Sequence, residues 1–152
     1  MKKRVKGEIN RFELKLPAIS VNESVARAAV AVFCAQQDPT ATELADIKCA
    51  VSEAVTNCIV HAYREKSGLC YITVCLLEGG TVRITVRDTG CGITDVKRAR
   101  EPLFTTDAAG ERSGMGFTVM ENFMDRLLVR SCRGKGTTVT MIKRVGRQKE
   151  ED

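Results

Sequence analysis

The chain is predicted to fold as an α+β domain, a two-layer α/β sandwich whose mixed, mostly antiparallel sheet carries its helices on one face. Three observations predict it. β-rich runs with apolar residues at alternate positions come in pairs joined through glycines, as antiparallel hairpins do. Two helical stretches follow the first such run, each opened by a hydroxyl residue three positions before a glutamate. The resulting order, β-α-α-β-β-α-β-β, supplies one sheet and one helical layer, each with an apolar face to bury.

The opening strand is predicted over residues 9–16, where Phe12, Leu14 and Leu16 alternate before Pro17 ends the run. Ser20 and Glu23 then read as a capping box for a first helix with Val25, Ala28, Ala29, Val32 and Phe33 on its buried face. Thr40 and Glu43 repeat the device after Pro39. This second helix runs to about Ala62 and buries Leu44, Ile47, Val51, Val55, Cys58 and Ala62. Strands over 69–77 and 81–88 join through Gly79 and Gly80. A short helical piece near 95–100, a loop over 102–114 and a helix over 117–124 come next. A second hairpin, over 127–132 and 137–143, turns at 134–136.

The length of 152 residues fits a single domain over 1–152, with its core at about 10–142 and no internal repeat. The net charge of +5 is misleading, because between residues 7 and 142 basic and acidic side chains balance. The excess sits in the basic N-terminal end (Lys2, Lys3, Arg4, Lys6) and the charged C-terminal tail, whose ordinary role is solvation. Aromatic residues make up only 5% and Trp is missing, so a base-stacking platform is poorly supplied and no direct nucleic-acid partner is expected. No stretch approaches the ~20 apolar residues of a membrane span, and no signal-peptide run opens the chain. Seven cysteines, never spaced as CxxC, point to a reduced, cytoplasmic protein without disulfides or zinc, in which Cys58 and Cys75 serve as small hydrophobes.

Four clusters carry the chemistry: EAVTN at 53–57, DTGCG at 88–92, GMG at 114–116 and GTT at 136–138. Glu53, Asn57 and His61 recur every fourth residue, so on a helix the side chain turns by only about 40° per step and they share a stripe. A solvated helix face is the alternative. The neighbouring Ala50 and Ala54 instead suggest a lined cleft, in which Asn57 offers the neutral oxygen that Mg²⁺ accepts beside phosphate oxygens and waters. Asp88 closes a strand, where a carboxylate can accept a hydrogen bond from the exocyclic amine of adenine. Gly90 and Gly92 would let the backbone approach the ring without a Cβ, unless the motif is only a polar turn. The glycines of 110–116 precede a helix, where backbone N–H groups form an anion site, or else cap it. Nothing fits GxxxxGK[ST], and neither glycine cluster completes GxGxxG.

ExxxN, DxGxG, a glycine-rich lid with GxG, then GT on a late strand resembles the gyrase, Hsp90, histidine kinase and MutL ATPase superfamily, with its Bergerat ATP-binding fold. The strings SEAVTNCIVHAY, RDTGCGI, PLFTT and ERSGMGFTVMENFMD are similar to those of the bacterial anti-sigma F family, serine-protein kinases of sporulation, over roughly 10–142. The resemblance implies a homodimer that sequesters a sporulation sigma factor and, with ATP and Mg²⁺, phosphorylates a serine of an anti-anti-sigma antagonist, leaving ADP. It implies Glu53 as general base, Asn57 as the Mg²⁺ ligand and Asp88 as the adenine reader, with Gly90 and Gly92 in its turn. Thr106, Gly114 and Gly116 would bind nucleotide beneath a lid over 102–113, and Thr137 would support the adenine end. Arg112 would meet the γ-phosphate or the docked antagonist. Glu23 and Arg27 on the first helix would belong to the partner surface, although their i, i+4 spacing also fits an intrahelical pair.

Three other readings stay open: a nucleotide-gated module that traps a partner without transferring phosphate, a detached histidine-kinase catalytic domain, and a related stress-response anti-sigma kinase. The ERSGMGF string and the lack of an acceptor helix bundle disfavour the second. His61, the one histidine, is then a packing residue beside the pocket and not a phospho-acceptor.

Overall fold

Alternation along the strands builds the sheet. The computed structural model describes residues 4–64, 66–102 and 116–146. Its strands are β1 (Glu8–Pro17), β2 (Leu69–Leu77), β3 (Thr81–Arg87), β4 (Arg126–Cys132) and β5 (Gly136–Arg144). They lie in the order β1-β2-β3-β5-β4. Phe12, Val74, Ile84, Met141 and Leu127 fall in register across all five strands, and Leu14, Ile72, Val86, Val139 and Val129 form the next inner row. With Cys70, these rows face the helices and make the sheet's half of the core. The expected α+β sandwich is present. The sheet is antiparallel throughout rather than mixed. Two helices, not one, separate β1 from β2, so the chain re-enters the sheet running the opposite way.

The helical layer consists of α1 (Val21–Cys34), α2 (Ala41–Asn57), the single turn α3 (Val96–Ala99) and α4 (Gly116–Phe123). The capping box of α2 forms as expected. Glu43 N–H donates to Thr40 Oγ1 at 3.1 Å, Thr40 N–H donates to Glu43 Oε1 at 2.9 Å, and the same oxygen accepts Gly146 N–H at 3.0 Å. The predicted stripe of α2 is likewise inside, with Ala50 and Ala54 added to Ile47, Val51 and Val55.

Two expectations for α1 are overturned. Ser20 sits in the right-handed helical region (φ −55°, ψ −38°), and its side chain caps nothing. A capping residue needs extended backbone to reach the N3 amide, so no box with Glu23 forms. Glu23 turns instead to α2, accepting Ser52 Oγ at 2.5 Å. The buried face is Ala26, Val30, Ala31 and Cys34, not the expected stripe: Val25 and Val32 are exposed, and Phe33 is half-buried with its ring against Phe12. Apolar residues surround this helix, so periodicity could not choose between its faces. No helix among the described residues is long and apolar enough to cross a membrane.

Candidate functional site

The site is assembled where α2 ends. Glu53 and Asn57 lie one turn apart, both half-buried, on the side of α2 that meets the start of α4. A Cβ on Gly116 would stand 3.3 Å from Glu53 Oε2 and 3.5 Å from Asn57 Oδ1. The carboxylate and the amide therefore converge on the first residue of α4, and glycine there spares both oxygens a crowding Cβ.

Beyond Asn57 the backbone leaves α geometry. Cys58–Ala62 forms one π-helical turn, a feature that recurs at functional sites. The expected stripe of Glu53 and Asn57 runs up to this turn, and His61 lies within it, half-buried. The turn also presents the Ala62 carbonyl to the DTGCG loop, where it accepts Cys91 N–H at 2.8 Å.

Strand parity explains Asp88. Val82, Ile84 and Val86 point inward along β3, so the next inward position is Asp88, which is 7% exposed beneath the π-turn. Its Oδ1 accepts Gly90 N–H at 3.0 Å and Thr137 N–H at 3.2 Å, while Oδ2 faces the Cys58 thiol at 3.9 Å. Burial raises the carboxyl above its ordinary value, and the two backbone bonds and the thiol offset this only in part. Cys58 is in turn 3.6 Å from Cys70, and that hydrogen bond, reinforced by burial, pushes its thiol well up and keeps it protonated. Oδ2 meets no donor stronger than a thiol among the described residues, so it can accept an N–H from a ligand.

The glycines of this loop act differently from the expectation. A Cβ on Gly90 would lie 2.2 Å from Ala62 O, and one on Gly92 (φ +75°) 2.3 Å from Cys132 O. The protein's own backbone fills both directions, so these glycines let the loop pack between the π-turn and the β4–β5 hairpin instead of clearing room for a ring. Gly134 N–H donating to Cys91 O at 2.8 Å and Ile93 N–H donating to Ser131 Oγ at 2.7 Å complete the clamp. Ser131 Oγ is 2.8 Å from Thr137 Oγ1, joining the hairpin to Asp88 through Thr137. Gly136 is constrained twice over, by its positive φ of +120° and because a Cβ there would sit 2.2 Å from Asp88 O. Gly136→Ala should destabilise the fold by about 1–3 kcal/mol from backbone strain alone, read as a lower midpoint in urea. An unchanged midpoint would show that the hairpin can move away from Asp88.

Glu53, Asn57, Asp88, Gly90, Gly92, Gly116 and Thr137 are thus brought to one region, between the end of α2, the loop after β3 and the β4–β5 hairpin. Thr106, Arg112 and Gly114 lie outside the described residues. Glu23 and Arg27 stand apart on α1 as the intrahelical pair, at 3.2 Å. Sequence reasoning missed Cys58, Tyr63 and Ser131. Tyr63 Oη accepts Thr89 N–H at 2.9 Å and donates to Leu69 O at 2.5 Å, locking the loop onto β2. Only its place two residues after His61, at the end of the SEAVTNCIVHAY string, hinted at this. Among the described residues no group of three or more His, Cys, Asp or Glu could hold a metal ion.

Residues 16–143 match the family model described as histidine kinase-like ATPase domain, so the chain belongs to that class. Relatives place it more narrowly. The chain is 56% identical over 140 residues to the anti-sigma F factor of Caldanaerobacter subterraneus subsp. tengcongensis, covering 92% of this chain and 97% of that protein. It is 55% identical over 135 residues to the anti-sigma F factor of Geobacillus stearothermophilus, covering 88% and 92%. It is a member of the anti-sigma F factor family. Among solved structures, the mycobacterial sensor histidine kinase MprB aligns with a TM-score of 0.56 at 12% identity, over 88% of this chain and 99% of that one. The catalytic domain of histidine kinase ThkA aligns at 0.54 and 17% identity, over 90% and 97%. At those identities the likeness establishes the fold alone. As an ATPase domain, this one is built to bind ATP or ADP.

Proposed function

We propose that the chain sequesters a sporulation sigma factor and, as a kinase, transfers the γ-phosphoryl group of ATP to a serine of an anti-anti-sigma antagonist. The observation that carries this reading is the convergence of Glu53 and Asn57 on the first residue of α4, with Cys58, the residue after Asn57, facing the buried carboxylate of Asp88. Asp88 Oδ2 accepts the adenine amine, with Thr137 and Gly90 holding the carboxylate in place. The N-terminus of α4, entered through Gly114 and Gly116, faces the phosphates. Glu53 takes the proton of the serine hydroxyl as its oxygen bonds to phosphorus and the bond to ADP breaks. Arg112 meets charge on the transferred group, and Thr106 belongs to the same nucleotide contacts.

The donor set fits Mg²⁺. Asn57 supplies one hard neutral oxygen, and this ion takes its remaining ligands from phosphates and water instead of an all-protein cage. When bound it neutralises phosphate charge. Asn57→Ala should weaken Mg²⁺-dependent ATP binding by about tenfold, while binding in chelator stays as in the wild type. Titration calorimetry with and without the ion reads this, and wild-type affinity in Mg²⁺ would refute the assignment. The kinase reading itself is tested by incubating the protein with γ-labelled ATP and candidate antagonists, then mapping phosphoserine. A sigma factor held tightly in ATP with no label on any antagonist would leave a trapping module without transferase activity.

The homodimer has its support on α1. Val21, Val25 and Val32 are 69%, 47% and 75% exposed on its outer side, an apolar stripe that a second copy would cover. Val32→Asp should convert the dimer to a monomer in sedimentation velocity and leave ATP affinity unchanged. A dimer of undiminished mass would place the contact elsewhere. Glu23 and Arg27 lie on the same helix as the proposed partner surface.

A further inference from the structure

The sheet face turned away from the helices is cationic, and its register shows how. Arg83, Ile142 and Arg126 share one row across β3, β5 and β4. Thr85, Thr140 and Leu128 form the next, and Arg87, Thr138 and Arg130 the third. None of these three strands contains Asp or Glu. With strands ~4.8 Å apart and ~3.3 Å per residue, the four arginines mark a rectangle of about 10 by 13 Å. Among the described residues no carboxylate pairs with any of them. At the opposite edge of the sheet, by contrast, Arg11 is neutralised by Glu8 and Glu13. Charge that balances between residues 7 and 142 is therefore separated in space, leaving one face positive.

We propose that the β3–β5–β4 face docks an acidic protein segment, apart from both α1 and the nucleotide site. Guanidinium forks match carboxylates in bidentate geometry. The centre of the rectangle is not purely polar: Leu128 is 38% exposed and Ile142 lies beside it. Apolar residues rimmed by arginine are the anatomy of a protein interface. A nucleic-acid strand would want bare rings to stack on, and the ring on this face, Tyr71, is already covered by Arg87, whose guanidinium carbon lies 4.0 Å from its centroid. An extended segment with glutamates or aspartates around one or two leucines is the ligand that this surface fits.

The test uses the full chain and fluorescence anisotropy with a short peptide of repeating Glu-Asp-Leu. Its Gln-Asn-Leu counterpart and a single-stranded oligonucleotide of equal charge serve as comparisons. The acidic peptide should bind and its neutral counterpart should not. Combined Arg83→Glu, Arg126→Glu and Arg130→Glu should lower its affinity by about tenfold or more, and Leu128→Ser alone should lower it by roughly threefold. ATP affinity should not change in either variant. Should the triple variant not fold, Leu128→Ser and the single Arg130→Gln decide. Binding that none of these substitutions moves, no binding up to about millimolar peptide, or tighter binding of the oligonucleotide than of the peptide would each overturn the proposal.

Discussion

Replacing Glu53 with glutamine should lower phosphoryl transfer to the proposed antagonist by about 10²–10⁴-fold, the contribution of a positioned general base, and leave ATP affinity intact. Glutamine keeps the length, shape and acceptor oxygen of the side chain, so the contact with the start of α4 survives. It cannot take a proton. A carboxylate near polyphosphate also repels it, so the amide raises ATP affinity if it changes it at all. The two readouts thus separate. Single-turnover transfer from labelled ATP reports the base, and titration calorimetry reports the pocket. Transfer at the wild-type rate would remove Glu53 from the chemistry. Loss of ATP binding would make it a nucleotide ligand, and the base would have to be sought elsewhere.

The sequence was most informative where local rules act alone. The Thr40–Glu43 box, the α2 stripe and the hairpins are all where alternation and capping place them, because each is decided by neighbours a few residues away. Asp88 was legible as a candidate from the DTGCG string that closes β3, and the packed sheet adds that it takes the inward position after Val82, Ile84 and Val86. Other features depended on contacts that no spacing encodes. Ser20 looks like a cap, yet its backbone is already helical and Glu23 is drawn away to Ser52. α1 carries apolar residues on every side, so only the packed sheet reveals which side is inside. The π-turn at 58–62 leaves no compositional mark, and it carries the Ala62 carbonyl to Cys91. The glycines of DTGCG were recognised for the right place and the wrong reason. They are required by backbone from elsewhere in the chain, at Ala62 and Cys132.

Asp88→Asn should separate stability from function in the opposite sense to an ordinary core mutation. The folded-state carboxyl titrates above its ordinary value of 3.8 because burial outweighs the bonds from Gly90, Thr137 and Cys58. The sign follows from linkage: the stability this group lends is fully present below the unfolded value and is lost as pH rises through the raised folded value. At neutral pH the ionised side chain is therefore a net cost to the fold. Asparagine removes the charge, and its carbonyl can still accept the two backbone N–H groups, while its amide can lie against the Cys58 sulfur. The variant should melt no lower than the wild type at pH 7, and the two should converge as pH falls below the folded value of Asp88. ATP binding should nevertheless drop by roughly 10–100-fold, the worth of a hydrogen bond to a charged group at about 1.5–3 kcal/mol. With its carbonyl held by Gly90 and Thr137, asparagine would turn a donor toward the adenine amine, itself a donor. Melting curves across acid and neutral pH, paired with ATP titrations, check both halves. ATP affinity equal to the wild type would show that Asp88 does not read the base. A melting point lower by several degrees at pH 7 would show that the charged carboxylate holds the β3–β5 end together more strongly than its burial disfavours it.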